Sequence, residues 1–191
     1  MFRLAAAVLA GLLLAAASAA PAAQDEPKKL PGPKIALPEV DAFEKQPVKV
    51  YDEPGLGWSV SYRGSGSVVT FYVYNMDRDE VPDGPDSDAV KAEMLDVLSA
   101  VEAGKASGHY KTLTPVKDGV ASLGSGKTAR KFRFKRYEVE MAKGGPAITE
   151  AYLTGYKNHF VKLRTTYLAE GKAEAEAELK DLYAAITRAM K

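Results

Sequence analysis

Five cations form the most distinctive chemical pattern in this chain. Lys131, Arg133 and Lys135 recur at alternate positions, and Lys162 and Arg164 do the same further along. Alternate residues of a strand share one face, so each set projects from a single side. On neighbouring strands, up to five cations would share a surface able to hold an anionic glycan, a lipid headgroup or an acidic partner. The competing reading is a solvated sheet face, partly neutralised by Glu138, Glu140 or Glu150.

Catalytic patterns are incomplete. Gly124-Ser125-Gly126-Lys127-Thr128 matches the end of a phosphate-binding P-loop, but Ala121 stands where that loop needs its first glycine. The segment also leads into an expected strand instead of a helix. Gly57-Trp58-Ser59-Val60-Ser61 lacks the last glycine of a nucleophile elbow. His109 and His159 are the only imidazoles and have no paired spacing. His159 follows an expected hairpin turn beside Tyr156 and reads as structural; His109, between Gly108 and Tyr110, reads as a loop residue. The acidic cluster Asp77, Asp79, Glu80, Asp83, Asp86 and Asp88 misses the spacing of a calcium loop. Helix capping and solvation account for it. With no cysteine, disulfides, Cys-ligated zinc, iron–sulfur clusters and thiol catalysis are excluded. No catalytic, cofactor-binding or metal-binding residue is assigned, and no cofactor is expected.

The address is clearer. Arg3 is a positive n-region, Leu4 to Ala17 an apolar core, and Ala17-Ser18-Ala19 a small-residue cleavage pattern, together a secretory signal peptide over 1–23. The apolar run is shorter than the roughly 20 residues of a membrane span, so no membrane segment is expected after cleavage. An alanine-rich leader without a lipobox cysteine points to a soluble bacterial protein, periplasmic or secreted. The chain carries 26 basic and 25 acidic residues, and the leader removes only Arg3. That balance argues against a nucleic-acid partner.

Residues 24–48 read as a proline-rich tether, punctuated by Pro27, Pro31, Pro33, Pro38 and Pro47. Ile35, Leu37, Val40 and Phe43 are available to dock it on the domain. A single domain is expected over 49–191. Trp58, Val60 and Tyr62 alternate with serines as in a half-buried strand, and Val68 to Asn75 is apolar on both faces, as in a central one. After Pro82-Asp83-Gly84-Pro85, the stripe Val90, Met94, Val97, Leu98 and Val101 marks a helix. Tyr110–Val116 and Thr128–Val139 read as strands. Ile148–Tyr156 and His159–Tyr167 read as a hairpin, with Tyr152 facing Leu163 and Ile148 facing Tyr167. Its turn is Lys157-Asn158, where positive φ suits Asn; on turn preference alone, Asn158→Gly is neutral or stabilising. A helix with Leu179, Leu182, Tyr183, Ile186 and Met190 on one side closes the chain. The expectation is α+β, an antiparallel sheet of about six strands with helices packed on it, in the order β-β-α-β-β-β-β-α.

Gly55-Leu56-Gly57-Trp58-Ser59-Val60, Phe71-Tyr72-Val73-Tyr74, Val81-Pro82-Asp83-Gly84-Pro85-Asp86-Ser87 and the run Leu153 to Arg164 resemble a family of uncharacterised exported bacterial proteins. The element order is similar to the PsbP/Mog-like α-β-α sandwich. The resemblance covers Val50 to Met190, implies an antiparallel sheet between helices, and transfers no catalytic residue. The functional expectation is an exported, non-catalytic protein binding an unidentified envelope protein, glycan or lipid headgroup. The alternative is an envelope hydrolase with an unrecognised site.

Intact-mass analysis of protein from the native host should find a mature start between Ala20 and Gln24; a species retaining Met1 would refute export by this leader.

Overall fold

The computed structural model describes residues 30–191, so the leader and the first residues of the proline-rich segment lie outside the described residues. In chain order the elements are β1 (Glu44–Lys45), β2 (Lys49–Val50), β3 (Trp58–Arg63), β4 (Ser67–Tyr74), α1 (Asp88–Ala106), β5 (Tyr110–Leu123), β6 (Arg130–Met141), β7 (Gly145–Tyr156), β8 (His159–Leu168) and α2 (Lys172–Ala189). A short 3-10 turn, Gly126–Thr128, joins β5 to β6.

The expected sheet of about six strands with helices packed on it is overturned. Among the described residues one eight-stranded sheet dominates, and only two helices accompany it. The additional strands, β1 and β2, fall in or beside the segment read as a tether. Each is two residues long, too short for alternation to register in a sequence, and both pair with β3, through Glu44↔Arg63 and Val50↔Trp58. Ile35 and Phe43 enter the core, and Trp58 Nε1–H donates to the Pro31 carbonyl at 2.9 Å. β5 also runs past its expected end at Val116 to Leu123. It carries Pro115 because the register shifts between Pro115 and Lys117 on the outermost strand, where a missing backbone donor is tolerated.

The strands run β1-β3-β4-β8-β7-β6-β5, with β2 beside β3. One face carries Trp58, Val60, Tyr62, Phe71, Leu163 and Phe132, closed by Leu179, Leu182, Tyr183, Ile186 and Met190 of α2. Several of these side chains are fully buried, each worth about 1.5–3 kcal/mol over exposure. On the other face, Val90, Met94 and Val97 of α1 pack on Tyr74, Ala151, Leu153 and Phe160. Further along the helix Val101 meets Tyr137, Val139 and Ala147. β4 lies between β3 and β8 and is buried on both sides over most of its length.

The β7–β8 hairpin turns at Lys157 (φ 47°) and Asn158 (φ 62°), with Tyr152 opposite Leu163 and Ile148 opposite Tyr167. A clamp holds this turn against the loop before α1. The Asn158 side chain accepts from the Val81 N–H at 2.7 Å and donates to the Asp79 carbonyl at 3.1 Å. The Lys157 N–H donates to Asp83 at 2.6 Å. Gly84 and Gly155 exchange two backbone hydrogen bonds of 2.9 Å. Gly155 has to be glycine, since a Cβ there would stand 1.9 Å from the Pro82 carbonyl oxygen. Three residues beyond Gly84, Ser87 caps α1 by accepting from the Val90 N–H at 3.2 Å.

The clamp reverses the expectation for the turn. Asn158→Gly keeps the backbone conformation but removes both side-chain bonds and leaves the Val81 N–H, on a buried residue, without its acceptor. It should lower unfolding free energy by about 1–3 kcal/mol, read from denaturant midpoints. An unchanged midpoint would show that the clamp carries no stability.

Candidate functional site

The two cationic sets lie on one face of the sheet, but β6 and β8 are not neighbours, because β7 runs between them. Cross-strand registers align Ser61, Thr70, Arg164, Ala151 and Lys135 in one row, and Ser59, Tyr72, Lys162, Leu153 and Arg133 in the next. Helix α1 packs over Ala151 and Leu153, the middle of both rows. It therefore divides the expected strip into two halves. On the β6 side the charges are largely engaged. Arg133 donates to the Pro85 carbonyl at 3.1 Å and to Asp86 at 3.4 Å, and Lys135 pairs with Asp118 at 2.9 Å. Lys131 is exposed at the end of its strand.

The β8 side differs. Lys162 and Arg164 are half-buried, and among the described residues neither forms an ion pair. The Lys162 ammonium lies 4.4 Å from the ring centre of Tyr72 and 4.8 Å from that of Tyr74, within range of cation–π attraction. Arg164 stands beside Thr70, and its Nε is buried without a hydrogen-bond partner. Hydroxyls surround the pair. Ser61 and Thr70 bond to each other at 3.0 Å, Thr149 and Thr166 at 3.1 Å, and Tyr51 and Ser59 at 3.0 Å. The result is a polar shelf on β3, β4 and β8, beside α1.

Glu93 projects from α1 toward this shelf and is itself buried, accepting from the Tyr74 hydroxyl at 2.7 Å. Burial pushes the Glu93 carboxyl up, against the lowering effects of the Tyr74 hydrogen bond and the Lys162 charge. Burial pushes the Lys162 ammonium down, and Arg164 acts in the same sense while Glu93 opposes it. The Tyr74 hydroxyl is raised well above its ordinary range by burial and then by Glu93. The shelf thus combines two positive charges with one carboxylate already committed to a tyrosine.

A second polar cluster lies on the opposite face and is satisfied. Arg136 donates to Glu150 at 2.6 Å and to Glu176 at 3.2 Å, Tyr152 donates to Glu150 at 3.1 Å, and Tyr167 to Glu176 at 3.0 Å. Thr165 and Tyr183 bond at 2.7 Å nearby. Burial raises the Glu150 carboxyl, and the Arg136 charge pulls it back. Three tyrosines are thereby tied into the core beneath α2, an anchoring arrangement.

The histidines sit in neither cluster. His159 packs on Gly32, where a Cβ would stand 2.6 Å from its Nε2, and its Nδ1 bonds the Lys157 carbonyl at 3.0 Å. His109 Nδ1 lies 2.7 Å from Ser107 Oγ, but that hydroxyl donates to the Gly104 carbonyl at 3.2 Å. With the serine proton engaged at that carbonyl, the pair is not arranged as a nucleophile and its base. Three of the six acidic side chains are engaged, Asp83 with the hairpin, Asp86 with Arg133 and Asp88 with Lys91. Among the described residues no three potential ligands gather as a metal site.

Ser61, Thr70, Tyr72 and Glu93 escaped sequence reasoning. Alternation did place Thr70, Tyr72 and Tyr74 on one face of β4. The missing information was that β4 pairs with β8, with Thr70 opposite Arg164 and Tyr72 opposite Lys162.

Folded Glu93 holds its proton to higher pH than the unfolded chain, whose carboxyl titrates near its ordinary value of 4.5. Its contribution to stability is therefore greatest at low pH and declines as pH rises through the raised value. Gln cannot titrate and still accepts from Tyr74. The melting temperature of Glu93→Gln should gain on wild type as pH rises above about 4.5. A constant difference on that side of pH 4.5 would show that Glu93 titrates as an unburied carboxylate.

Neither known protein families nor curated proteins match this chain.

Proposed function

We propose that the protein is an exported, periplasmic, non-catalytic binding protein that takes an acidic envelope component on the shelf around Lys162 and Arg164. The observation that carries this reading is the pair of half-buried cations without an ion-pair partner among the described residues. A buried charge is expensive unless it is paired, and on this face Arg133 and Lys135 are paired whereas Lys162 and Arg164 are not. The hydroxyls of Ser61, Thr70 and Tyr72 suit recognition of a polar ligand. The chain's overall charge balance leaves this local excess to do the selecting. Export enters from the leader and its cleavage pattern.

The test is retention of anionic envelope extract on the immobilised protein. Wild type should retain material at low salt and lose much of it at physiological salt, where the Debye length falls to about 8 Å. Lys162→Glu with Arg164→Glu should abolish retention. Lys131→Glu, Arg133→Glu and Lys135→Glu together should reduce it far less, because Arg133 and Lys135 already have partners. Equal retention by the β8 double variant would refute the shelf as the contact. Hydrolase activity lost in His109→Ala or His159→Ala would overturn the non-catalytic reading.

A further inference from the structure

We propose that Lys162 and Arg164, with the hydroxyls of Ser61 and Thr70, form a site for the phosphate monoester group of a soluble ligand, of the sugar-phosphate kind. The site depends on the binding role proposed above and specifies the group that role recognises.

Charge and spacing select the group. Residues i and i+2 of a strand stand about 6–7 Å apart on one face, so a single small anion between the two side chains reaches both cations. A phosphate monoester carries about −1.5 to −2 charges at pH 7, matching two positive charges; a carboxylate would leave one of them unbalanced. The guanidinium fork fits phosphate oxygens bidentately, and an ammonium serves as a point charge beside it. Arg164 Nε is buried without a partner, and the terminal guanidinium nitrogens, which are not among the buried unpartnered atoms, are the ones to meet the ligand. The mutual bond of Ser61 and Thr70 uses one hydroxyl proton and leaves the other for an acceptor. Glu93 does not fill the site, because its carboxylate is held by Tyr74.

Partial burial selects the source. Both cations are half-buried, and Thr70 beside them is 9% exposed. Lys162 lies against two tyrosine rings, with Glu93 of α1 near it. A small phosphate on a soluble molecule approaches such partly covered cations more readily than the flat surface of a bilayer does.

The test titrates the purified protein with inorganic phosphate and with glucose 6-phosphate, following backbone amide shifts and binding heat. Saturable shifts at Thr70, Tyr72, Lys162 and Arg164 in the wild type are expected, a readout that needs no variant to fold. Arg164→Gln should weaken both ligands at least tenfold, Arg164→Lys several-fold, and Lys131→Gln not at all. Vesicles of phosphatidylcholine with phosphatidic acid should bind no better than phosphatidylcholine alone. The absence of saturable phosphate binding, shifts centred elsewhere, unchanged affinity in Arg164→Gln, or binding only to the phosphatidic acid vesicles would each overturn the proposal. If phosphate fails while envelope retention still depends on Lys162 and Arg164, the phosphate site falls and the wider binding role stands.

Discussion

The close approach of two backbones at Gly84 and Gly155 is the constraint on which the rest of this architecture hangs. A pair of hydrogen bonds joins the loop after β4 to the end of β7, and no side chain fits between Gly155 and the Pro82 carbonyl. Ser87 caps the helix three residues later, so the contact sets where α1 begins. From that origin the stripe Val90, Met94 and Val97 has one surface to bury itself on, the small and apolar steps Ala151 and Leu153 of β7. The helix therefore covers the middle of the face and, through Tyr74 and Phe160, the near ends of β4 and β8, leaving Lys162 and Arg164 half-buried beside it. Asn158 and Asp83 add side-chain bonds to the same junction.

Two arginines two strands apart show how one residue type serves two ends. Arg136 reaches Glu150 and Glu176 beneath α2, and each carboxylate also receives a tyrosine hydroxyl. Breaking such a buried network is strongly destabilising, although forming it adds little net stability, because desolvation offsets most of the attraction. Arg164 has the burial without the partners. Leaving a buried donor unsatisfied costs about 1–3 kcal/mol, more for a charged group. Among the described arginines the fold tolerates that cost on the shelf and otherwise only at Arg130, whose Nε is likewise unpartnered while its terminal nitrogen bonds the Met190 carbonyl. Arg164 has no such second contact.

Local elements were legible wherever one face was buried and the run was long enough to show a period. Trp58, Val60 and Tyr62 could be assigned to a strand, and the stripe from Val90 to Val101 to a helix. Two-residue strands carry no period, so β1 and β2 stayed hidden behind Pro38 and Pro47. Most of β5 is exposed on both faces, so its sequence has no alternation to mark an end. The count of about six strands failed for the first of these reasons. The candidate site was half legible for a different reason. Alternation states which face a residue occupies and says nothing of which strand lies alongside. Lys131, Arg133, Lys135, Lys162 and Arg164 share a face, yet β7 and α1 separate them, and the true neighbours of Lys162 and Arg164 are Tyr72 and Thr70.

The remaining question is why the shelf does not neutralise itself, with Glu93 so near. A carboxylate free to turn at that position would be drawn toward the Lys162 charge. Two features oppose the turn. Glu93 sits on the buried side of α1, and its carboxylate is tied to a tyrosine whose own hydroxyl is held firmly protonated by burial. Lys162, for its part, already lies against two tyrosine rings, which attract its charge without cancelling it. Tyr74 takes part in both arrangements, binding the anion with its hydroxyl and the cation with its ring. One residue thus keeps the opposite charges apart, and the cations stay available to a ligand from outside.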